Sequence, residues 1–159
     1  METKTLKIEI PKGYEIDQEK STFENIVFKK VDDIVIKWNK NYYGVEIKAD
    51  GEHFIVDTSS PSYFCSWDDA MRFRKFYRNG NINGIWNLPT LKQLQVVDKY
   101  FDKINEVIEE NSGFVLSKGF YWSIEKKDEF CAWGVSMGYD GTTYGTKVLN
   151  YSVRAVSTL

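Results

Sequence analysis

Beyond residue 90 the spacing of apolar residues changes from the period of a helix to that of a strand, so one part of this chain must pack a helix against a sheet. Leu91, Leu94, Val97, Phe101, Ile104 and Ile108 step by 3, 3, 4, 3 and 4, which lays them along one stripe of an amphipathic α-helix. Thr90, with Gln93 three residues on, supplies a capping-box signature for its first turn. After Asn111-Ser112-Gly113 the period becomes two, with Cys131, Trp133, Val135 and Met137 on one face and Ala132, Gly134, Ser136 and Gly138 on the other. The bulky face asks for burial. The small face either packs closely against another backbone or stands open to a ligand.

Upstream, Tyr43 to Lys48 and His53 to Asp57 are β-prone runs separated by Ala49-Asp50-Gly51-Glu52, and Asp-Gly between such runs predicts a hairpin. Ser66 stands as an N-cap with Asp68 and Asp69 in the turn behind it, so a first helix is expected from Trp67 to about Arg78, closed by Asn79-Gly80. Leu6 to Ile10 alternates and stops at Pro11, and Asp33 to Trp38 reads as a further strand. Ser152 to Ser157 is the expected closing strand. The predicted fold class is α+β, with two helices on a twisted, mainly antiparallel sheet. An N-terminal β extension covers residues 1–42 and a single domain residues 43–159.

The chain has 159 residues, 42% of them hydrophobic and 16% aromatic, enough material for one core. With 21 basic and 23 acidic residues the net charge is -2, which creates no field to attract nucleic acid or an acidic membrane. No apolar run has the length of a membrane span, and Met1-Glu2-Thr3-Lys4 does not open a secretory signal. The cytoplasm is the default location, with virion or cell surface as the address if a phage encodes the chain. Cys65 and Cys131 are read as two reduced thiols, although a bridge between them is not decided by sequence.

Catalytic patterns are sparse. His53 is the sole histidine, so a Ser/His/Asp triad or a zinc site would have to draw on distant partners. Gly141 to Lys147 lacks the adjacent Gly-Lys-Ser/Thr of a phosphate loop. Glu125, Asp128, Glu129 and Asp140 are too scattered for an EF-hand type of calcium loop. No cofactor and no metal are expected. The stretch from Ser136 to Tyr144, by contrast, is rich in the Tyr, Ser, Thr and Gly that recognition loops favour.

Taken in order, Cys65 to Met71, Trp86-Asn87-Leu88-Pro89-Thr90, Tyr121-Trp122-Ser123, Ala132-Trp133 and Val153-Arg154-Ala155-Val156 resemble the C-terminal domain of collagen-like bacterial adhesins, a family with the C-type lectin-like fold. Its wider superfamily includes formylglycine-generating enzymes and variable proteins diversified by retroelements. The resemblance spans roughly residues 43–159, while Ile8 to Tyr14 and Glu19 to Phe23 are similar to leader segments of gut bacterial and prophage proteins. It implies framework roles for Trp86, Leu88, Pro89, Trp122, Trp133 and Arg154. It also implies ligand contacts at Glu125, Ser136, Tyr139, Asp140, Thr142, Tyr144 and Lys147.

The calcium-lectin triplets and the Arg-Gly-Gly-Ser-Trp signature of formylglycine-generating enzymes are missing from the chain. Non-enzymatic binding of a protein or glycan ligand is therefore the expected function, with no nucleic acid or membrane as partner. Two other readings stand beside it: an enzyme using Cys131 or Cys65 as nucleophile, or an assembly module of a phage particle. In the latter the extension is where homo-oligomers would form.

Overall fold

The computed structural model of the protein describes residues 8–11, 14–22, 25–30, 34–73, 85–139 and 141–159. The chain divides into a small unit, Met1–Asp33, and a large one, Ile34–Leu159. In the small unit β1 (Tyr14–Ile16) pairs antiparallel with β2 (Phe28–Lys30). The strand expected at Leu6 to Ile10 is not found where it can be seen: Leu6 and Lys7 lie outside the described residues, and Ile8 to Ile10 are in no strand. Tyr14 N–H donates to Pro11 C=O at 3.0 Å.

Among its described residues the large unit contains two five-stranded sheets and three helices rather than one sheet and two helices. The first sheet runs β3 (Val35–Asn39), β4 (Gly44–Ala49), β5 (Glu52–Asp57), β12 (Val156–Thr158) and β7 (Trp86–Asn87). Because β3 pairs antiparallel with β4 from Val35↔Lys48 to Asn39↔Gly44, the division falls before residue 34, not at residue 42. The β4–β5 hairpin closes through Asp50 and Gly51, both at positive φ (51° and 79°), the turn that matches the twist of paired strands.

The second sheet runs β10 (Gly141–Thr146), β9 (Cys131–Met137), β8 (Gly119–Lys126), β11 (Tyr151–Val153) and β6 (Tyr63–Cys65). All its pairings are antiparallel except β11 with β8. The closing strand expected from Ser152 to Ser157 is thus two strands in two sheets. Between them the buried Arg154 guanidinium donates to the carbonyls of Asp57, Ser60 and, at 3.0 Å, Val115. The chain changes sheets at this anchored residue.

α1 (Trp67–Phe73) starts as expected, with Ser66 Oγ accepting Asp69 N–H at 3.2 Å. The rest of its expected length and the Asn79-Gly80 cap lie outside the described residues. The single helix expected over Leu91 to Ile108 is two, α2 (Leu91–Lys99) and α3 (Phe101–Glu110), parted at Tyr100 with φ -110° and ψ 22°. The break lets each half address a different sheet: α2 lies on β8 and β9, and α3 on β3 and β4. The capping box is complete, Thr90 Oγ1 accepting Gln93 N–H at 3.1 Å and Gln93 Oε1 accepting Thr90 N–H at 2.9 Å.

The main core lies between the first sheet, α2 and α3, and one face of the second sheet, and includes Ile47, Phe54, Leu94, Ile104, Ile108, Tyr121, Val135 and Met137. A second core on the other face of the second sheet gathers Trp67 and Ala70 of α1 with Trp122, Ala132 and Val153. No described helix is long and apolar enough to cross a membrane.

Candidate functional site

The stretch from Ser136 to Tyr144, expected to be of the recognition-loop kind, falls largely within a β-hairpin arm. Gly141 to Thr146 pairs with Ser136 to Cys131 in unbroken register, which suits its β-branched threonines and its tyrosine. That register decides what meets what. Thr142 stands opposite Val135 and Tyr144 opposite Trp133, so all four project toward α2. Gln95 of α2 accordingly donates from Nε2 to Thr142 Oγ1 at 2.9 Å.

Tyr144 is 51% exposed, yet its ring is held. The Trp133 ring meets it edge-on with centroids 5.7 Å apart, and Lys127 Nζ lies 4.3 Å from its centroid, a cation–π distance. Glu125 is nearby on the exit of β8, where its Oε2 accepts the Leu91 N–H at 2.8 Å and places a carboxylate at the positive end of α2. Its role is therefore to start a helix, whatever else it contacts.

At the hairpin tip Gly138 adopts φ 77° and donates its N–H to Asp98 Oδ1 at 2.6 Å. This bond ties the turn to the α2–α3 junction. Tyr139, 68% exposed, projects beyond it, with Lys118 Nζ 5.7 Å from its ring centroid. Beside the tip an open cleft of about 450 Å³ is lined by Asp98, Tyr100, Asp102, Lys103, Lys118 and Gly138, among others. Asp140 lies outside the described residues.

Two of the expected contact residues are placed elsewhere. Ser136 pairs with Phe120 and Gly141 and so points to the opposite face from Thr142 and Tyr144. Lys147 is buried, with Nζ donating to Asp128 C=O at 2.7 Å and Glu129 C=O at 2.8 Å and lying 5.0 Å from the Trp67 ring centroid. Its ammonium is committed to holding the β8–β9 turn rather than facing outward.

The small-residue face of β9 is closed. Phe120, Trp122 and Tyr151 pack together with centroids 4.5 to 5.1 Å apart, Ala132 is fully buried, and a Cβ added to Gly134 would strike the Tyr121 carbonyl. Of the two readings left open for that face, close packing is the one found. The neighbours of Tyr139, Thr142 and Tyr144 were not legible in the sequence: Gln95, Lys127 and Lys118 are brought in by the fold, and Trp133, expected as framework, by register. A turn assigned at Met137 to Gly141 would have put Trp133 beside Tyr144.

The remaining titratable groups are accounted for locally. Burial, and then the Asp69 charge, push the Cys65 thiol up to about 11, the opposite direction from the lowered values of reactive cysteines. Both cysteines are free thiols. His53 Nε2–H donates to Glu46 Oε1 at 3.0 Å on the exposed side of the β4–β5 hairpin. Asp128 Oδ1 accepts the N–H groups of Phe130 and Cys131 at 2.8 and 2.7 Å, and these bonds hold its carboxyl below the ordinary value. Among the described residues no group of three or more His, Cys, Asp or Glu side chains is placed to hold a metal ion.

The fold and site together define a mixed α+β protein with two antiparallel-rich sheets, the second of which carries a tyrosine-bearing hairpin. A scan against protein-family models and a search of curated proteins return no match to the chain.

Proposed function

We propose that the chain is a non-enzymatic recognition domain that binds a protein or glycan ligand on the α2 side of the β9–β10 hairpin, on a scaffold of the C-type lectin-like kind. The observation that carries this reading is Tyr144: half of its surface faces solvent while Trp133 and Lys127 fix its ring. An aromatic group exposed and already ordered offers large contact area at small entropic cost on binding. Thr142 and Gln95 supply polar partners alongside, and Tyr139 extends the surface at the hairpin tip.

The scaffold reading is supported by the burial of Trp86, Leu88, Pro89, Trp122 and Arg154, five of the six residues to which the resemblance gives framework roles; the sixth, Trp133, is half-buried and packs against Tyr144 instead. Lys147 and Ser136 are left out of the contact set because of where their side chains go, and Trp133, Gln95 and Lys127 enter it.

The test is ligand selection followed by titration. Ligands enriched on the wild-type chain from a displayed peptide library and a glycan array are titrated against the double variant Tyr139→Ala, Tyr144→Ala. Loss of affinity by about tenfold or more is expected for two aromatic anchors. Unchanged affinity, or no enrichment from either source, overturns the proposal.

A further inference from the structure

The outer edge of β10 has no neighbour among the described residues, because β9 pairs with it on one side only. Edge strands are ordinarily protected by brevity, charge or proline. β10 has six residues, Gly-Thr-Thr-Tyr-Gly-Thr, none charged and none proline, and Thr142, Thr143, Tyr144 and Thr146 are exposed. The other edges of the large unit differ: β6 has three residues, β7 has two, and β3 carries Lys37.

Register shows which backbone groups face outward. Lys147 N–H donates to Phe130 C=O at 2.9 Å, in line with the pairing of Gly141 with Ser136. In an antiparallel ladder residues alternate between the two sides, so Gly141, Thr143 and Gly145 bond to β9, while the N–H and C=O of Thr142, Tyr144 and Thr146 point away from it. The Thr146 carbonyl already accepts Leu149 N–H at 2.9 Å. An outward set spaced evenly about Tyr144 is self-complementary under a two-fold axis.

We infer that β10 pairs antiparallel with β10 of a second copy of this chain, centred on Tyr144, joining the two β10-edged sheets into one continuous sheet. In this register Tyr144 and Tyr144 of the partner subunit exchange both hydrogen bonds. Each Thr146 N–H reaches the carbonyl of Thr142 of the partner subunit, and Thr143 faces Gly145 of the partner subunit. Tyrosine beside tyrosine and threonine beside threonine are favourable cross-strand neighbours. Lys127, the nearest cation, has its charge balanced by Asp128 Oδ2 at 3.3 Å. The inference stands apart from the ligand reading, since assembly is measured without a ligand.

Sedimentation velocity of the full chain between about 5 and 200 µM is expected to show a concentration-dependent dimer, and Tyr144→Lys, which sets two like charges side by side on the axis, is expected to leave a monomer. Oxidative cross-linking in a Cys131→Ser background fixes the register. Tyr144→Cys is expected to form a dimer disulfide, because axis residues in a hydrogen-bonded pair have Cα atoms about 5.5 Å apart. Thr142→Cys is expected not to, because its cross-axis neighbour is Thr146 of the partner subunit. A wild-type monomer throughout, a dimer unaffected by Tyr144→Lys, or equal cross-linking at the two positions overturns the inference.

Discussion

At the scale of single residues, neighbouring polar groups decide which side chains remain available to a ligand. Lys147 and Tyr144 both looked like contact residues in a Thr/Gly-rich run, yet one ammonium is buried on two carbonyls and the other ring is half in solvent. Lys147→Ala should therefore cost about 2 kcal/mol of stability, read from urea unfolding, and leave the affinity of any selected ligand unchanged. A loss of affinity without a loss of stability would return Lys147 to the contact set. Glu46 supplies a pH dependence. Burial raises its pKa, but hydrogen bonds from His53 and Asn39 and the charge of Lys37 outweigh that and hold it below the ordinary 4.5. A depressed carboxyl adds stability above the pKa of the unfolded chain and loses it as the folded group protonates. Unfolding midpoints should thus fall as pH drops through and below about 4.5, and Glu46→Gln should fall less steeply over that range.

At the scale of elements, local signals in the sequence were reliable wherever the chain itself supplies the partner. The Asp50-Gly51 hairpin, the Thr90–Gln93 box and the Ser66 cap are all short-range, and all are present. The break at Tyr100 and the sheet change at Arg154 were not legible, because an apolar stripe reports that a face is buried but not against which sheet. The two-residue period of β9 likewise showed its faces but not that Phe120, Trp122 and Tyr151 fill the small one. Gly134→Ala tests that packing. Its new methyl would meet the Tyr121 carbonyl, which is backbone of the paired strand β8 and cannot yield cheaply. A destabilisation of about 3 kcal/mol is expected in urea unfolding, whereas an open, ligand-ready face would accept alanine with little change.

At the scale of the whole molecule, the second sheet connects packing to function. Its inner strands are buried between α2 and α1, and its last strand, β10, carries the exposed Tyr144 ring on the α2 side and an edge with no partner among the described residues. The position of this surface was half legible, since composition marked Tyr139, Thr142 and Tyr144. Gln95 and Lys127 come from 47 residues away in sequence and from the preceding turn, so only the fold could bring them in. We propose above all that ligand binds the α2 side of the β9–β10 hairpin. Amide hydrogen exchange of the wild-type chain, with and without a ligand selected from the peptide library or glycan array, measures this directly. Added protection is expected in the β9–β10 hairpin and in the adjoining residues of α2. Protection confined to the β3–β5 strands or to α1, with the hairpin unchanged, would contradict it.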